Sequence, residues 1–362
     1  MSIVSSVNAI CTKDNVDIND CEFILSITDS DAVNEIFTIA RSITDTISGR
    51  KIYLRGLIEV SNICRKNCYY CGIRRDNAKI QRYTLSFDEI ALAIQYCYEA
   101  GFGSIVLQAG EQSGENFISL ITRSIQYAKR ISNGKLGITL SLGEQTEDTY
   151  RKWFEAGADR YLLRIETSDP FLYAMLHPKD HSFNKRLDCL YTLQKIGYQV
   201  GTGVMIGVPG QTITHLAQDV LFFKRMDVDM IGMGPYVVHP DTPTGTIAQN
   251  HYNKTKIVQR TLLMIALTRI VCRDVNIAST TALEVLDGTA VLNSFYAGAN
   301  VKMINVTPEH YKRYYDLYQG KTEAGVAAHQ QFEQLITKHG FAIAYYSKGD
   351  PVHFYTRREQ CR

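Results

Sequence analysis

IYLRGLIEVSNICRKNCYYC, residues 52–71, holds two readings side by side. Its first half, Ile52 to Val60, reads as a β-strand. Its second half sets Cys64, Cys68 and Cys71 at C-x3-C-x2-C spacing just beyond that strand. Thiolates are soft ligands suited to zinc or to iron–sulfur clusters. Three of them in one short loop can wrap three corners of a cubane and leave the fourth iron open to a small molecule. Zinc would want a fourth ligand, and the nearest histidine in sequence is His177. Three thiols with no metal would sit unexplained on a polar loop. The spacing therefore points to a 4Fe–4S cluster.

Outward from this stretch the same rhythm repeats. Further strand candidates are SIVLQAG (104–110), LGITLSL (136–142), RYLLRIE (160–166) and YQVGTGVMI (198–206). DMIGMG (229–234), NIASTTA (276–282) and ANVKMIN (299–305) complete the series. Amphipathic helical stretches lie between them. Ser86 to Glu89 forms a capping box, Thr146 opens a helix that Gly157 ends, and Ser182 opens another ended by Gly197. Strands alternating with helices imply parallel βαβ units. An open doubly wound sheet would use the same units. Eight repeats and no second domain favour an α/β fold of the closed (β/α)8 TIM-barrel type. The expected division is a helical segment at 1–50, a barrel at 51–305 and an extension at 306–362 packed outside it. Two helices are expected over 18–48, with Asp20 capping the first and Gly49 ending the second.

The bulk numbers narrow the function. The 362 residues are 45% apolar and 21% charged, enough to bury a large core. A net charge of +2 without a Lys/Arg-rich run disfavours nucleic acid. No apolar run reaches the roughly 18 residues of a membrane span, and the first residues lack a secretory pattern. The expected compartment is the cytoplasm. Six of the nine cysteines (11, 21, 97, 189, 272 and 361) are isolated and read as small core residues or inert thiols.

In a barrel of this type the chemistry sits at the carboxyl ends of the strands. Unusual polar residues fall there: Gln108, Gly110 and Glu111 after the second strand, and Ser141, Gly143 and Glu144 after the third. Arg164, Glu166 and Thr167 follow in the fourth, and Met205 and Gly207 in the fifth.

The cysteine spacing after a first strand, with Tyr70 before the last cysteine, resembles the radical S-adenosylmethionine (SAM) superfamily. From about Lys51 to Lys321 the chain is similar to the HydE family of FeFe-hydrogenase maturases. The stretches that carry this include VLQAGE, TLSLGE, AGADRYLLRIET, VPGQT, MGPYVVHPDTP, ALTRI, TTA and GANVKMINVTP. The resemblance implies one 4Fe–4S cluster on Cys64, Cys68 and Cys71, and SAM as second cofactor. It implies SAM contacts from Tyr70, Gln108, Gly110, Glu111, Thr139, Ser141, Glu166, Arg186 and Met205, with Arg186 pairing the methionine carboxylate. A carboxylate needs such a cation, and ribose hydroxyls need acceptors.

The resemblance further implies an inner substrate or anion cavity. Arg160 and Arg164, four residues apart on one strand, share a face, and Glu166 on that face is expected to pair with Arg164. Thr280 and Thr281 offer hydroxyls, and Met230, Met303, Tyr315 and Tyr318 match family lining positions. Ordinary core packing also accounts for the Met and Tyr residues, and His239 reads equally as a lining or a turn residue. The family substrate is an organometallic iron–cysteine precursor, of Fe(CO)2(CN) type. An electron donor such as ferredoxin or flavodoxin and other hydrogenase maturases are the implied partners. Methylornithine synthase, a related barrel, and a non-catalytic iron–sulfur carrier are the alternatives. In one respect the chain departs from many relatives: the stretch after YYDLYQGK has no cysteines, so an accessory cluster is not expected.

Overall fold

A computed structural model describes residues 2–248, 252–318 and 326–360. Eight parallel strands close into a barrel: β1 (Lys51–Ser61), β2 (Ser104–Ala109), β3 (Gly137–Ser141), β4 (Arg160–Leu162), β5 (Gln199–Thr202), β6 (Met230–Ile231), β7 (Asn276–Ser279) and β8 (Val301–Asn305). Each pairs with the next, and β8 returns to β1 over Tyr53–Leu57 against Val301–Asn305. A short parallel pair, Met205–Ile206 with Gly234–Pro235, extends β5 and β6 past the barrel rim. The fold class expected from the eight repeats is the one found, and helices surround the barrel.

Side-chain alternation sorts the two faces of β1. A Cβ on Gly56 would lie 2.2 Å from Cys97 Sγ, so that position abuts the helix Phe87–Glu99 outside. Arg55, Leu57 and Glu59 consequently point inward.

Three helices precede the barrel, one more than expected: α1 (Ile3–Cys11), α2 (Ile18–Ser26) and α3 (Ser30–Ser48). Asp17, not Asp20, caps α2; Asp20 returns a bond to the Asp17 amide and completes a capping box. Helix Lys254–Cys272 is sandwiched beneath α3 and is buried almost all round, as a helix covered on both sides must be. Its one buried cation, Arg269 in the ALTRI stretch, donates to the carbonyls of Val275 at 2.7 Å and Gly298 at 3.1 Å. It thereby ties the helix end to the β7 and β8 entrances.

Residues 342–350 do more than pack outside the barrel. Ala342–Ile343 forms a ninth strand, β9, on the lower edge of β1. Ser347–Asp350 then plugs the amino end of the barrel. Ser104 Oγ donates to the Lys348 carbonyl at 2.7 Å, and Asn276 Nδ2 to that of Gly349 at 2.7 Å. Asp350 meets Arg160, which is fully buried, and accepts from Gln199 Nε2 at 3.0 Å. Arg160 therefore anchors this plug and does not reach the inner cavity at the mouth. Alternation fixed its face correctly but not its depth. Four residues along a strand span about 13 Å, so Arg160 and Arg164 serve opposite ends of the barrel.

Burial alone would raise the Asp350 pKa. Arg160, Gln199 and Tyr355 outweigh it and hold the carboxyl below its ordinary value of 3.8. A depressed folded-state pKa adds stability that is full above the unfolded value and is lost as pH falls through the folded one. Removing one partner of a buried pair costs about 3–5 kcal/mol. Asp350→Asn should therefore lower unfolding stability in urea by an amount of this order at pH 7, and by less at pH 3. An equal loss at both pH values would show that charge is not what holds the plug.

Candidate functional site

At the opposite, carboxyl end the chain leaves β1 in a long loop. Ser61 Oγ donates to the Tyr83 carbonyl at 2.7 Å, and Asn62 Nδ2 to the carbonyls of Gln81 at 2.7 Å and Tyr314 at 2.6 Å. Inside the loop the Arg82 guanidinium donates to the carbonyls of Asn62, Ile73 and Arg74 at 2.7–2.8 Å. Its fork of donors gathers backbone that no regular structure satisfies.

Cys64, Cys68 and Cys71 line one cavity of about 310 Å³. Gly110 lets the loop approach: a Cβ there would stand 2.3 Å from the Ile63 carbonyl oxygen and 2.7 Å from Cys64 Cβ. The Glu111 amide points at Cys64 Sγ, 3.3 Å away. Burial pushes all three thiols up, Cys68 to about 12. Backbone amides oppose that at Cys64 and Cys71, and Arg186 opposes it at Cys68. Iron binding by thiolate ligands releases their protons.

His177 and His181 fold near the loop, yet their nitrogens are spoken for. His177 contacts the Tyr173 carbonyl at 2.8 Å and Tyr70 OH at 3.2 Å. His181 contacts the Asn67 amide at 3.0 Å and Asp180 at 2.9 Å. Neither is left to complete a zinc site. The donor set, three sulfurs facing a cavity, fits a cubane that takes one thiolate at each of three corners.

The same cavity is lined by Tyr70, Gln108, Gly110, Glu111, Ser141 and Met205. Glu166 and Arg186 join them, as do Arg164, Thr280, Thr281, Met303, Tyr315 and Tyr318. Arg164 and Glu166 face each other at 2.9 Å, the pairing expected from the strand. Glu166 holds a left-handed backbone, φ 69°, which strand spacing did not foretell. Asp219 secures the turn beyond it by accepting from the Ser168 amide at 2.6 Å. Thr280 Oγ1 is buried with no hydrogen-bond partner among the described residues, so its donor and acceptor capacity is unused.

Thr139, expected at the SAM, and Met230 and Arg160, expected in the inner cavity, lie deeper, outside the cavity wall. Thr139 sits beside Arg160 in the β3–β4 register, and Met230 Sδ is 2.9 Å from Arg55 Nη1. Each sits in the strand body, where side chains fill the barrel. His239 is buried and contacts Asp316 at 3.1 Å, tying its turn to the 314–318 segment. Glu111 lines the cavity, but its carboxylate is taken by Arg65 Nε at 2.8 Å and the Glu144 amide at 2.7 Å.

Glu144 is the main residue that sequence reasoning left out of the site. It lies 1% exposed and accepts from Arg186 Nε at 2.7 Å and Lys66 Nζ at 2.8 Å. Burial would raise its pKa, but Arg186 and Lys66 bring it down to about 2. Its signal was present: Gly143-Glu144 after β3 repeats Gly110-Glu111 after β2.

The radical SAM superfamily model matches residues 58–223. Over 297 residues the chain is 43% identical to the [FeFe] hydrogenase maturase subunit HydE of Thermotoga maritima, covering 82% of each protein. It is 27% identical to a 3-methylornithine synthase of Methanosarcina acetivorans over 78% of this chain and 77% of that one. Among solved structures, methylornithine synthase aligns with TM-score 0.79 at 22% identity over 95% and 98% of the two chains. The maturase HydG aligns with TM-score 0.80 at 18% identity, covering 99% of this chain and 80% of that one. These last two likenesses speak to fold.

Gly110→Ala must move the cysteine loop, because the atoms it meets are backbone. It should cost about 1–3 kcal/mol, read as a lowered midpoint in thermal unfolding. Gly288, with open space around it, provides the contrast: Gly288→Ala should stay within about 0.5 kcal/mol of the parent. Equal midpoints for the two variants would mean that the loop yields freely at Gly110.

Proposed function

Since this chain belongs to the HydE family of the radical SAM superfamily, and is an enzyme that cleaves SAM with a 4Fe–4S cluster, we propose that it acts in FeFe-hydrogenase maturation. Its substrate would be a small iron–cysteine precursor bearing CO and cyanide. One observation carries the reading: three cysteines of one loop share a cavity with Arg186, Glu166 and the unpartnered Thr280 hydroxyl at the barrel mouth. The 43% identity to a HydE, against 27% to a methylornithine synthase, supports the maturase over the mutase.

When bound, the reduced cluster supplies one electron that splits the SAM sulfonium into methionine and a 5′-deoxyadenosyl radical. The protein's share is binding, orientation and exclusion of water. Cys64, Cys68 and Cys71 would hold the cluster. Arg186 would take the methionine carboxylate, since its Nε and Nη1 are engaged by Glu144 and the Arg164 carbonyl while Nη2 has no hydrogen-bond partner among the described residues. Glu166 and Ser141 would accept from or donate to the ribose, and Tyr70, Gln108, the Gly110–Glu111 backbone and Met205 would enclose the remainder.

Deeper in, Arg164, Thr280 and Thr281 would receive an anionic substrate group, with Met303, Tyr315 and Tyr318 packing around it. A low-potential carrier such as ferredoxin or flavodoxin would supply the electron, and the other maturases would supply or receive the product. Among the described residues no helix is long and apolar enough to cross a membrane. One cluster per chain is proposed, because residues 319–337 contain no cysteine; positions 319–325 of that stretch lie outside the described residues.

Reconstituted protein should bind about four iron atoms per chain and form 5′-deoxyadenosine when reduced with SAM. Cys68→Ala should abolish that product while the barrel still unfolds cooperatively. Arg186→Ala should weaken SAM binding about tenfold or more, and Arg186→Lys should recover only part, a point charge replacing a planar fork. Parent-level product from Cys68→Ala, or about eight iron atoms per chain, would refute the cluster assignment. The maturase role is tested by adding the protein to a hydrogenase activation mixture that lacks this activity. Failure there, with lysine consumed instead, would favour the mutase.

A further inference from the structure

Two residues inside the cysteine motif, Arg65 and Lys66, carry charge into the barrel rim. Lys66 is 13% exposed and lies 2.8 Å from Glu144 and 3.7 Å from Glu111. Arg65 holds Glu111 at 2.8 Å and the Glu144 carbonyl at 3.1 Å. The Glu144 amide in turn donates to Glu111 at 2.7 Å. Gly143 permits this closeness with a left-handed φ of 74°, where a Cβ would stand 2.5 Å from the Glu111 carboxylate. Glu144 spends one oxygen on Lys66 and the other on Arg186.

We infer that Glu144 is a positioning residue that couples the cysteine loop to Arg186, so that ligand binding at the arginine is felt at the loop. The inference rests on the cofactor reading above. Its basis is charge. Three cations, Arg65, Lys66 and Arg186, face two buried carboxylates, Glu111 and Glu144, leaving one positive charge in excess, with Arg65 on the solvent side. A ligand carboxylate on Arg186 balances that excess and draws the guanidinium's charge away from Glu144. Glu144 then gives more to Lys66, which sits midway between Cys64 and Cys68. Each oxygen has a single side-chain partner, so a change at one end cannot be absorbed elsewhere. Coupling of this kind is reciprocal: what the loop does for the ligand, the ligand does for the loop.

The test uses cluster-loaded protein and three readouts: iron per chain, SAM affinity by equilibrium dialysis, and the change that SAM produces in the electron paramagnetic resonance spectrum of the reduced cluster. Glu144→Gln should keep its iron, bind SAM about tenfold more weakly or worse, and show a diminished spectral change. Lys66→Met, which leaves Arg186 and its Glu144 contact in place, should also weaken SAM binding. The double variant should be no worse than the poorer single, since both cut one tie.

Parent-like SAM affinity in Lys66→Met would overturn the inference, because Glu144 would then merely prop Arg186. Loss of iron from Lys66→Met would overturn it too, since the tie would belong to loop folding alone. Should Glu144→Gln fail to fold, the Lys66→Met result decides by itself. If the unsubstituted protein neither loads iron nor binds SAM, it is the family reading that fails, which is a separate result.

Discussion

The hydrogen-bonded pairing of β1 with β8 is the constraint on which the rest depends. It closes the sheet and so abolishes the edges that an open sheet would leave. It also forces β1 to serve several masters. Its outward face must be small at Gly56 for a helix to lie against it, and its inward face carries Arg55, Leu57 and Glu59. Its upper end launches the cysteine loop, and its lower end takes β9 as an extra partner. The loop begins from a fixed point because β1 is held by β8 over Tyr53–Leu57 and by β2 over Arg55–Ser61, up to the residue where the loop departs.

The barrel interior is unusually polar below the cavity. Arg55 and Arg160 are both buried there, and Asp350 is the acid that meets Arg160. Among the described residues Arg55 donates one hydrogen bond, to the Met230 sulfur, and burial pushes its pKa well down, with Arg160 adding to the effect. Buried charge of this kind seldom raises stability over an apolar filling. Its role is better read as structural: the Arg160–Asp350 pair holds the Ser347–Asp350 plug in the amino end of the barrel.

The architecture was legible because it rests on local signals. Strand runs, capping boxes and glycine stops are written within a few residues of where they act, and Ser86, Thr146, Ser182 and Gly197 do what their positions implied. The pairing of Arg164 with Glu166 was legible for the same reason, being two residues apart on one face. Depth was not. Nothing in a strand of period two says which rung faces the cavity, and Arg160, Thr139 and Met230 belong to lower layers. Long-range closures were also hidden. The Ser347–Asp350 plug and the Glu144 bridge each join elements far apart in sequence. Asp17 and Asp20 show a subtler limit: both belong to the same cap, and only geometry assigns which is the acceptor for the helix and which for its entrance.

The position of the plug in the chain has a consequence for how the molecule is made. Synthesis is vectorial, so all eight barrel strands leave the ribosome before Lys348, Gly349 and Asp350 do. Until then Arg160 has no acid, Asn276 has no carbonyl from Gly349, and the lower end of the barrel is open to water. The nascent barrel can form its ladder but cannot seal. Sealing waits for the docking of a short segment made after the barrel strands, followed by the helix Val352–Gln360 that meets Asp227, Asp229 and Asp274, so closure is sensitive to changes just behind the plug. A fusion partner placed close behind Asp350, or a premature stop just ahead of it, would leave a barrel that is correctly threaded and incompletely closed.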